Sequence, residues 1–272
     1  MSGWRQVPAK PYEPDMPLKF AANLSWMFKE WSFLDRFAAA ADAGFAAVEY
    51  LFPYEQEPDE IARRLSRHGL KQVLFNMPPG DWAAGEKGLA CLPERRDAFR
   101  ASVETALSYA RATGTPRLHL MSGIASDDRA GALAAYRDAI GWACDAAGAD
   151  GLDILLEPIN HRDVPGYLMN DFDLAAEIIS DLNRSNLKLQ FDIYHRQIIH
   201  GDVTRGLESF MPITGHIQIS SAPLRHEPMS GELDDRRVFQ TIERLNYAGH
   251  IGCEYNPAAG TLEGLGWMRE LA

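Results

Sequence analysis

Four short apolar runs in the second half of the chain each carry an oxygen-bearing side chain at or near their C-terminal end. They are Leu152-Asp-Ile-Leu-Leu-Glu157, Leu187-Lys-Leu-Gln-Phe-Asp192, His216-Ile-Gln218-Ile and Ile251-Gly-Cys-Glu254. A carboxylate at the end of a buried strand is costly unless something neutralises it. Each acid alone could pair with an Arg or Lys beside its own strand. Four such groups on four consecutive strands favour a shared partner. Three carboxylates and one amide oxygen form a hard, all-oxygen donor set that suits Mg²⁺ or Mn²⁺ and suits zinc poorly. Glu157, Asp192, Gln218 and Glu254 are the expected metal ligands.

Cationic and polar groups follow the same strands. His195 comes just after Asp192, and Arg225 and His226 follow the strand that carries Gln218. Arg is the side chain best shaped to grip a carboxylate with two parallel hydrogen bonds, and an imidazole can hold a hydroxyl or a carboxylate. His195, Arg225 and His226 are expected to bind substrate. Asn76, Glu49 and His119 are further polar candidates on three earlier strands, Asn76 as a substrate contact. Trp26, Phe52 and Trp82 are expected to line the mouth of the site. The stretch Gly80-Asp-Trp-Ala-Ala-Gly85-Glu-Lys87-Gly88 is not a phosphate loop, because Glu86 interrupts the Gly-Lys step and no Ser or Thr follows Lys87. It reads as a long loop over the mouth.

The elements that must position these groups alternate strand and helix from Pro17 onward. Strands are expected at Lys19–Met27, Ala47–Phe52, Gln72–Asn76, Arg117–Met121, Asp153–Glu157, Lys188–Ile193, His216–Ser220 and Ile251–Tyr255. Helical patterns fall between them: Ser32–Ala43, Pro58–Arg67, Pro93–Ala112, Asp128–Ala147, Asp171–Leu182, near Val203–Phe210, Asp234–Leu245 and Thr261–Leu271. Ser32 and Asp171 read as N-caps, and Gly44, Gly69, Gly114 and Gly249 as helix ends. Eight strand–helix repeats over roughly 250 residues make a closed (β/α)₈ barrel of the TIM type, as one domain over residues 18–272. In such a barrel the strand ends converge on one face, which is what the polar groups require. An open doubly wound sheet would carry a Gly-rich turn after an early strand, and Asn23-Leu-Ser-Trp-Met27 is not one.

A formal charge of -11 repels phosphate backbones and anionic membranes, so neither nucleic acid nor a membrane is expected as a partner. Three scattered cysteines without CxxC spacing argue for a reducing cytoplasm and against a disulfide framework. Residues 1–17, with four prolines among charges, contain no apolar run long enough for a signal peptide or a membrane span. They read either as a disordered tail or as an extended arm that packs on a partner subunit of a homo-oligomer.

Several strings together are similar to the hydroxypyruvate isomerase family, which includes the 2-oxo-tetronate isomerases and belongs to the xylose-isomerase-like barrels. They are Glu49-Tyr-Leu-Phe-Pro53, Phe75-Asn-Met-Pro-Pro-Gly-Asp-Trp-Ala-Ala-Gly85, Leu156-Glu-Pro-Ile-Asn160 with Pro165-Gly-Tyr167, Phe191-Asp-Ile-Tyr-His195, His216-Ile-Gln218, Arg225-His-Glu-Pro228 and Gly252-Cys-Glu-Tyr255. The resemblance runs from the first strand to the end of the chain. It implies a divalent metal on Glu157, Asp192, Gln218 and Glu254, with Glu157 and Glu254 also moving the proton. His195 and Arg225 match positions that contact substrate in related sugar epimerases, which carry His where this chain has Gln218. The implied reaction is isomerisation of a small 2-oxo acid, hydroxypyruvate to tartronate semialdehyde or 2-oxo-tetronate to 3-oxo-tetronate, through a cis-enediolate. The alternatives are a ketose 3-epimerase or a dehydratase on the same scaffold, and a catalytically silent barrel that binds a sugar acid. Ser221-Ala-Pro-Leu224, Asn256 and the acidic stretch from Met229 to Asp235 depart from the family pattern, and they bear on the choice of substrate.

Overall fold

The computed structural model describes residues 18–125 and 127–270. The arm expected over residues 1–17 lies outside them. Eight parallel strands close into a barrel in sequence order: β1 (Lys19–Asn23), β2 (Ala47–Tyr50), β3 (Lys71–Asn76), β4 (Arg117–His119), β5 (Asp153–Leu156), β6 (Leu187–Asp192), β7 (Thr214–Ile219) and β8 (His250–Cys253). The ring shuts where β1 pairs with β8 through Lys19–His250, Phe20–Ile251, Ala21–Gly252 and Ala22–Cys253. These strands are buried on both faces and read as nearly unbroken apolar runs, so the few polar residues inside them stand out.

Helices α1 (Arg36–Asp42), α2 (Pro58–His68), α3 (Arg96–Thr113), α4 (Arg129–Gly148), α5 (Phe172–Leu182), α6 (Ile193–Ile199), α7 (Val203–Phe210), α8 (Asp235–Arg244) and α9 (Gly266–Glu270) lie between or after the strands. The expected caps are mostly present. The Asp171 carboxylate accepts from the Leu174 N–H at 2.8 Å, and Gly69 and Gly114 end α2 and α3 in the left-handed conformation. Two expectations fail locally. Ser32 stands at the N-cap position of the 3₁₀ turn Phe33–Asp35, but its hydroxyl donates to Asp35 and caps no backbone N–H, and the left-handed residue after α8 is Asn246, not Gly249. Gly249 is instead packed against the Tyr247 ring, which leaves no room for a Cβ.

An aromatic cluster stabilises the closing seam. Phe20 on β1 meets Trp267 of α9 edge-on at 5.0 Å between centroids, and Trp267 stacks on Phe239 of α8 at 5.9 Å. Such pairs contribute about 0.5–1.5 kcal/mol each beyond the area they bury. They fasten the last two helices onto the first strand. No helix among the described residues is long and apolar enough to cross a membrane.

Candidate active site

The C-terminal ends of β5, β6 and β8 bring three carboxylates to one face of the barrel. Glu157 follows β5, Asp192 ends β6 and Glu254 follows β8, and each is at most 5% exposed. Asp192 has two tasks that its two oxygens divide. Oδ1 accepts from the Tyr194 and His195 N–H groups at 2.7 and 3.3 Å and so starts α6, while Oδ2 faces the cluster. That cap fixes His195 in the first turn of α6, with Nε2 3.7 Å from Asp192 Oδ2 and 3.9 Å from Glu157 Oε1. Donor atoms of Glu157, Asp192 and His195 all lie within 4.8 Å of one another.

Arg225 reaches the same place from the loop after β7. Its Nη2 is 3.5 Å from Asp192 Oδ2 and 3.4 Å from Glu254 Oε2, and its Nη1 is 3.2 Å from Asp163 Oδ2. The guanidinium lies between two rings, 4.7 Å from the Trp26 centroid and 4.8 Å from that of Tyr194. Trp26 donates its indole N–H to Glu254 at 3.1 Å, and the Tyr194 hydroxyl donates to Asp163 at 3.1 Å. The Arg225 backbone is left-handed at φ 57°, a conformation costly for a residue with a Cβ. Backbone hydrogen bonds hold it there, from the Arg225 N–H to Ser221 and from the Asn256 N–H to the Arg225 carbonyl, both 2.8 Å.

One guanidinium among these carboxylates leaves the site rich in negative charge. Burial, then repulsion from Glu254 and Asp192, pushes the Glu157 carboxyl well above the usual range. Burial also raises Asp192, with Arg225 opposing it, and pushes Glu254 up to about 8 against the same opposition. Glu157 Oε1 is buried without a hydrogen-bond partner. An orphaned carboxylate oxygen beside two more raised acids is what a hard divalent cation would satisfy, so the donor set fits such an ion. His119 ends β4 with Nδ1 3.3 Å from Glu157 Oε2, and burial holds its imidazole neutral with a pKa lowered to about 3.

Gln218 is the fourth expected ligand. It lies inside the barrel on β7, where its amide NH₂ donates to Glu49 Oε1 at 2.8 Å and its carbonyl oxygen accepts from Gln190 at 2.6 Å. Glu49 is the hub of this inner network. It is fully buried on β2 and also takes Asn23 at 3.0 Å and His216 at 2.6 Å. Gly252, beside Gln218 in the β7–β8 register, leaves the space its carboxylate fills. Gln218 is thus held to the hub by its NH₂ end, with its carbonyl oxygen turned toward Gln190.

His226, expected to bind substrate, is anchored through one ring nitrogen. Its Nδ1 is 2.7 Å from the Asn256 carbonyl and its backbone pairs with Ser221, so it braces the loop after β7 against the loop after β8. Asn76 is buried at the end of β3 beside His119, its carbonyl accepting from the Tyr54 hydroxyl at 2.7 Å. Phe52 and Trp82 pair at 5.3 Å with the Lys87 ammonium 3.2 Å from the Trp82 ring centre, and Trp82 stays half-exposed. Asn160, Asp163 and Gln190 had no expected role at the site. Gln190 carried a signal as a polar residue inside the apolar run of β6, and Asn160 as the end of the family string Leu156–Asn160.

Residues 37–271 match the family described as xylose isomerase-like TIM barrel. Over 92% of this chain and 97% of its own length, a 2-oxo-tetronate isomerase of Cupriavidus necator is 51% identical. A hydroxypyruvate isomerase of Escherichia coli is 39% identical over 92% of this chain and 98% of its own. A crystal structure from Brucella melitensis, described as an AP endonuclease of family 2, superposes with a TM-score of 0.91 at 46% identity, covering 94% of this chain and 99% of that one. With full-length kinship of this degree and a polar cluster at the strand ends of a closed barrel, the chain belongs to the hydroxypyruvate isomerase family of xylose isomerase-like TIM barrels and is an isomerase.

Proposed function

We propose that this isomerase interconverts a small 2-oxo acid and its aldehyde or 3-oxo isomer, with hydroxypyruvate and 2-oxo-tetronate as the substrates to test first. The observation that carries this reading is the pairing of two buried, proton-avid glutamates, Glu157 and Glu254, with one buried guanidinium. Arg225 would hold the substrate carboxylate. Its position between Trp26 and Tyr194 fixes the plane of the guanidinium, and its buried Nε has no protein partner. The relatives named for 2-oxo-tetronate and hydroxypyruvate isomerisation point to the same class of substrate.

The chain's own groups account for the proton traffic. One glutamate removes a proton from the hydroxyl-bearing carbon, leaving a cis-enediolate, and the other returns a proton to the adjacent carbon. The hydroxyl proton passes from one substrate oxygen to the other. Carboxyls that hold a proton more tightly than ordinary acids serve both as acceptor and as donor, so the two glutamates exchange roles between directions. Glu157, Asp192 and Glu254 would hold a divalent cation, Mg²⁺ or Mn²⁺, with Gln218 contributing the second lone pair of its carbonyl oxygen. When bound, the cation would polarise the carbonyl and stabilise negative charge on the substrate oxygens. Asp192 keeps its place through its cap on α6, and Trp26 orients Glu254.

Proton NMR in heavy water tests the reading. Hydroxypyruvate and 2-oxo-tetronate are each incubated with the protein and Mg²⁺ or Mn²⁺. Deuterium should enter at the carbon next to the carbonyl of the compound that turns over, with the isomer appearing alongside. Exchange in neither compound refutes it.

A further inference from the structure

Asn160 is wholly buried three residues after Glu157 and has no part in the proton transfer described above. Its amide orientation is unambiguous. Oδ1 accepts from the backbone N–H groups of Arg162 and Asp163, both at 3.0 Å, and those groups can only donate. Nδ2 is therefore the end that faces His195 Nδ1 at 2.7 Å. The backbone N–H of Asn160 is directed at the same ring nitrogen, 3.3 Å away. A ring nitrogen that receives two donors carries no proton, so the imidazole proton lies on Nε2.

This assignment decides between two roles for His195. Its distances to Glu157 and Asp192 alone would suit a third metal ligand. A ligand nitrogen needs a free lone pair, and here the lone pair is on the far side of the ring, occupied by Asn160. The Nε2–H stands 3.7 Å from Asp192 and 3.9 Å from Glu157, beyond a hydrogen bond to either, and is aimed into the carboxylate cluster. Burial, the Arg225 charge and His119 keep the ring from becoming an imidazolium.

We propose that Asn160 is a positioning residue that locks His195 as the Nε2–H tautomer, making it a hydrogen-bond donor to the substrate oxygen on which charge develops and excluding it from the cation's ligands. The substrate half of this proposal rests on the 2-oxo acid reading; the tautomer does not. The same side chain has a second connection. By accepting from the Asp163 N–H it sets the turn from which Asp163 reaches Arg225 and Tyr194.

Asn160→Asp separates the two connections, because one carboxylate oxygen can still accept from Arg162 and Asp163 while the other now demands a proton on His195 Nδ1. Two-bond ¹⁵N–¹H NMR of the metal-free full-length protein, with His195→Gln to assign the signals, should show Nε2 protonated in the parent and Nδ1 protonated in Asn160→Asp. A parent protonated on Nδ1 overturns the proposal. Mn²⁺ titrations followed by EPR should give an affinity within about threefold of the parent for His195→Gln, and a loss of tenfold or more for Glu157→Gln. A loss as large for His195→Gln makes it a ligand and overturns the proposal too. With substrate, Asn160→Asp should lower kcat about a hundredfold, the cost of one misdirected donor, while KM moves only a few-fold. Equal changes in kcat for Asn160→Asp and a distant buried control would mark a merely structural role. A parent that turns over neither 2-oxo acid refutes the 2-oxo acid reading and leaves the NMR and Mn²⁺ outcomes to decide the tautomer.

Discussion

Replacing Gly252 by Ala probes the inner network that holds Gln218. The backbone of Gly252 has no positive φ, so Ala suits its conformation, and loss of unfolded-state freedom alone would stabilise the protein by about 0.4–1 kcal/mol. The added Cβ, however, falls inside contact distance of both carboxylate oxygens of Glu49. Those oxygens cannot retreat freely, because Asn23, Gln218 and His216 hold them at 3.0, 2.8 and 2.6 Å. Overpacking a close-fitted interior costs about 1–3 kcal/mol, and one broken hydrogen bond to a charged acceptor adds about 1.5–3 kcal/mol. The net expectation is a loss of about 2–5 kcal/mol. At about 2–4 °C per kcal/mol for a chain of this size, the melting temperature should drop by roughly 4–20 °C. Differential scanning calorimetry on Gly252→Ala measures it, with Gly141→Ala in α4 as control. No atom lies near a Cβ at Gly141, so that change should stabilise by somewhat under 1 kcal/mol. In Gly252→Ala/Glu49→Asp the shorter acid relieves the clash, so the double variant should be more stable than the sum of its single changes. A Gly252→Ala protein melting within 1 °C of the parent would show that Glu49 is not pinned and that the hub is misread.

Glu254→Gln keeps the shape of the side chain and the Trp26 contact but removes the transferable proton, so it should fold normally and lose on the order of a thousandfold in kcat; a loss under tenfold would exclude Glu254 from proton transfer. Arg225→Lys replaces a planar fork wedged between two rings with a point charge, and KM for a 2-oxo acid should rise at least about tenfold with a smaller change in kcat; an unchanged KM would place the substrate carboxylate elsewhere. Glu157, Asp192 and Glu254 all bind protons more tightly folded than unfolded, so between about pH 5 and 8 the folded state holds more protons and stability falls as pH rises, by up to about 1.4 kcal/mol per pH unit for each proton. Urea midpoints of the metal-free protein should fall across that window and fall less with Mn²⁺ present; a midpoint that rises from pH 5 to 8 would contradict the assigned shifts.

The barrel was legible because eight near-continuous apolar runs are what strands covered on both faces require, and their spacing left room for one helix each. Boundaries failed where one residue served two elements. Asp192 ends β6 and caps α6, and since Ile193 and Tyr194 prolong the apolar run, the helix was hidden as further strand. At the other end of the scale, β1 stops at Asn23 and not Met27, because the Asn23 carbonyl accepts from the Trp26 and Met27 N–H groups and turns the chain. The carboxylates were legible for the converse reason, that an acid ending an apolar run has no cheap explanation. The orientation of Gln218 was not. Which end of an amide faces which neighbour depends on Glu49 and Gln190, two residues on other strands whose meeting only the closed ring determines. Asn160 closes one of the family strings, but its role was hidden, since a buried Asn past a strand looks like any turn residue.

The two sets of buried acids differ in how completely they are paired, and that difference separates support from chemistry. Glu49 receives three donors, from Asn23, Gln218 and His216, and lies where no solvent reaches. An acid so provided is a fixed anchor. Glu157 lies a few residues closer to the mouth with one oxygen bare and the nearest imidazole neutral. One more donor of the kind Glu49 already has would have satisfied that oxygen. A buried acid left short of donors costs stability at every moment the site is empty. The hub at Glu49 offsets that cost from below by holding β1, β2 and β7 together beneath the mouth, which lets Glu157, Asp192 and Glu254 remain crowded and ready for a cation or a proton.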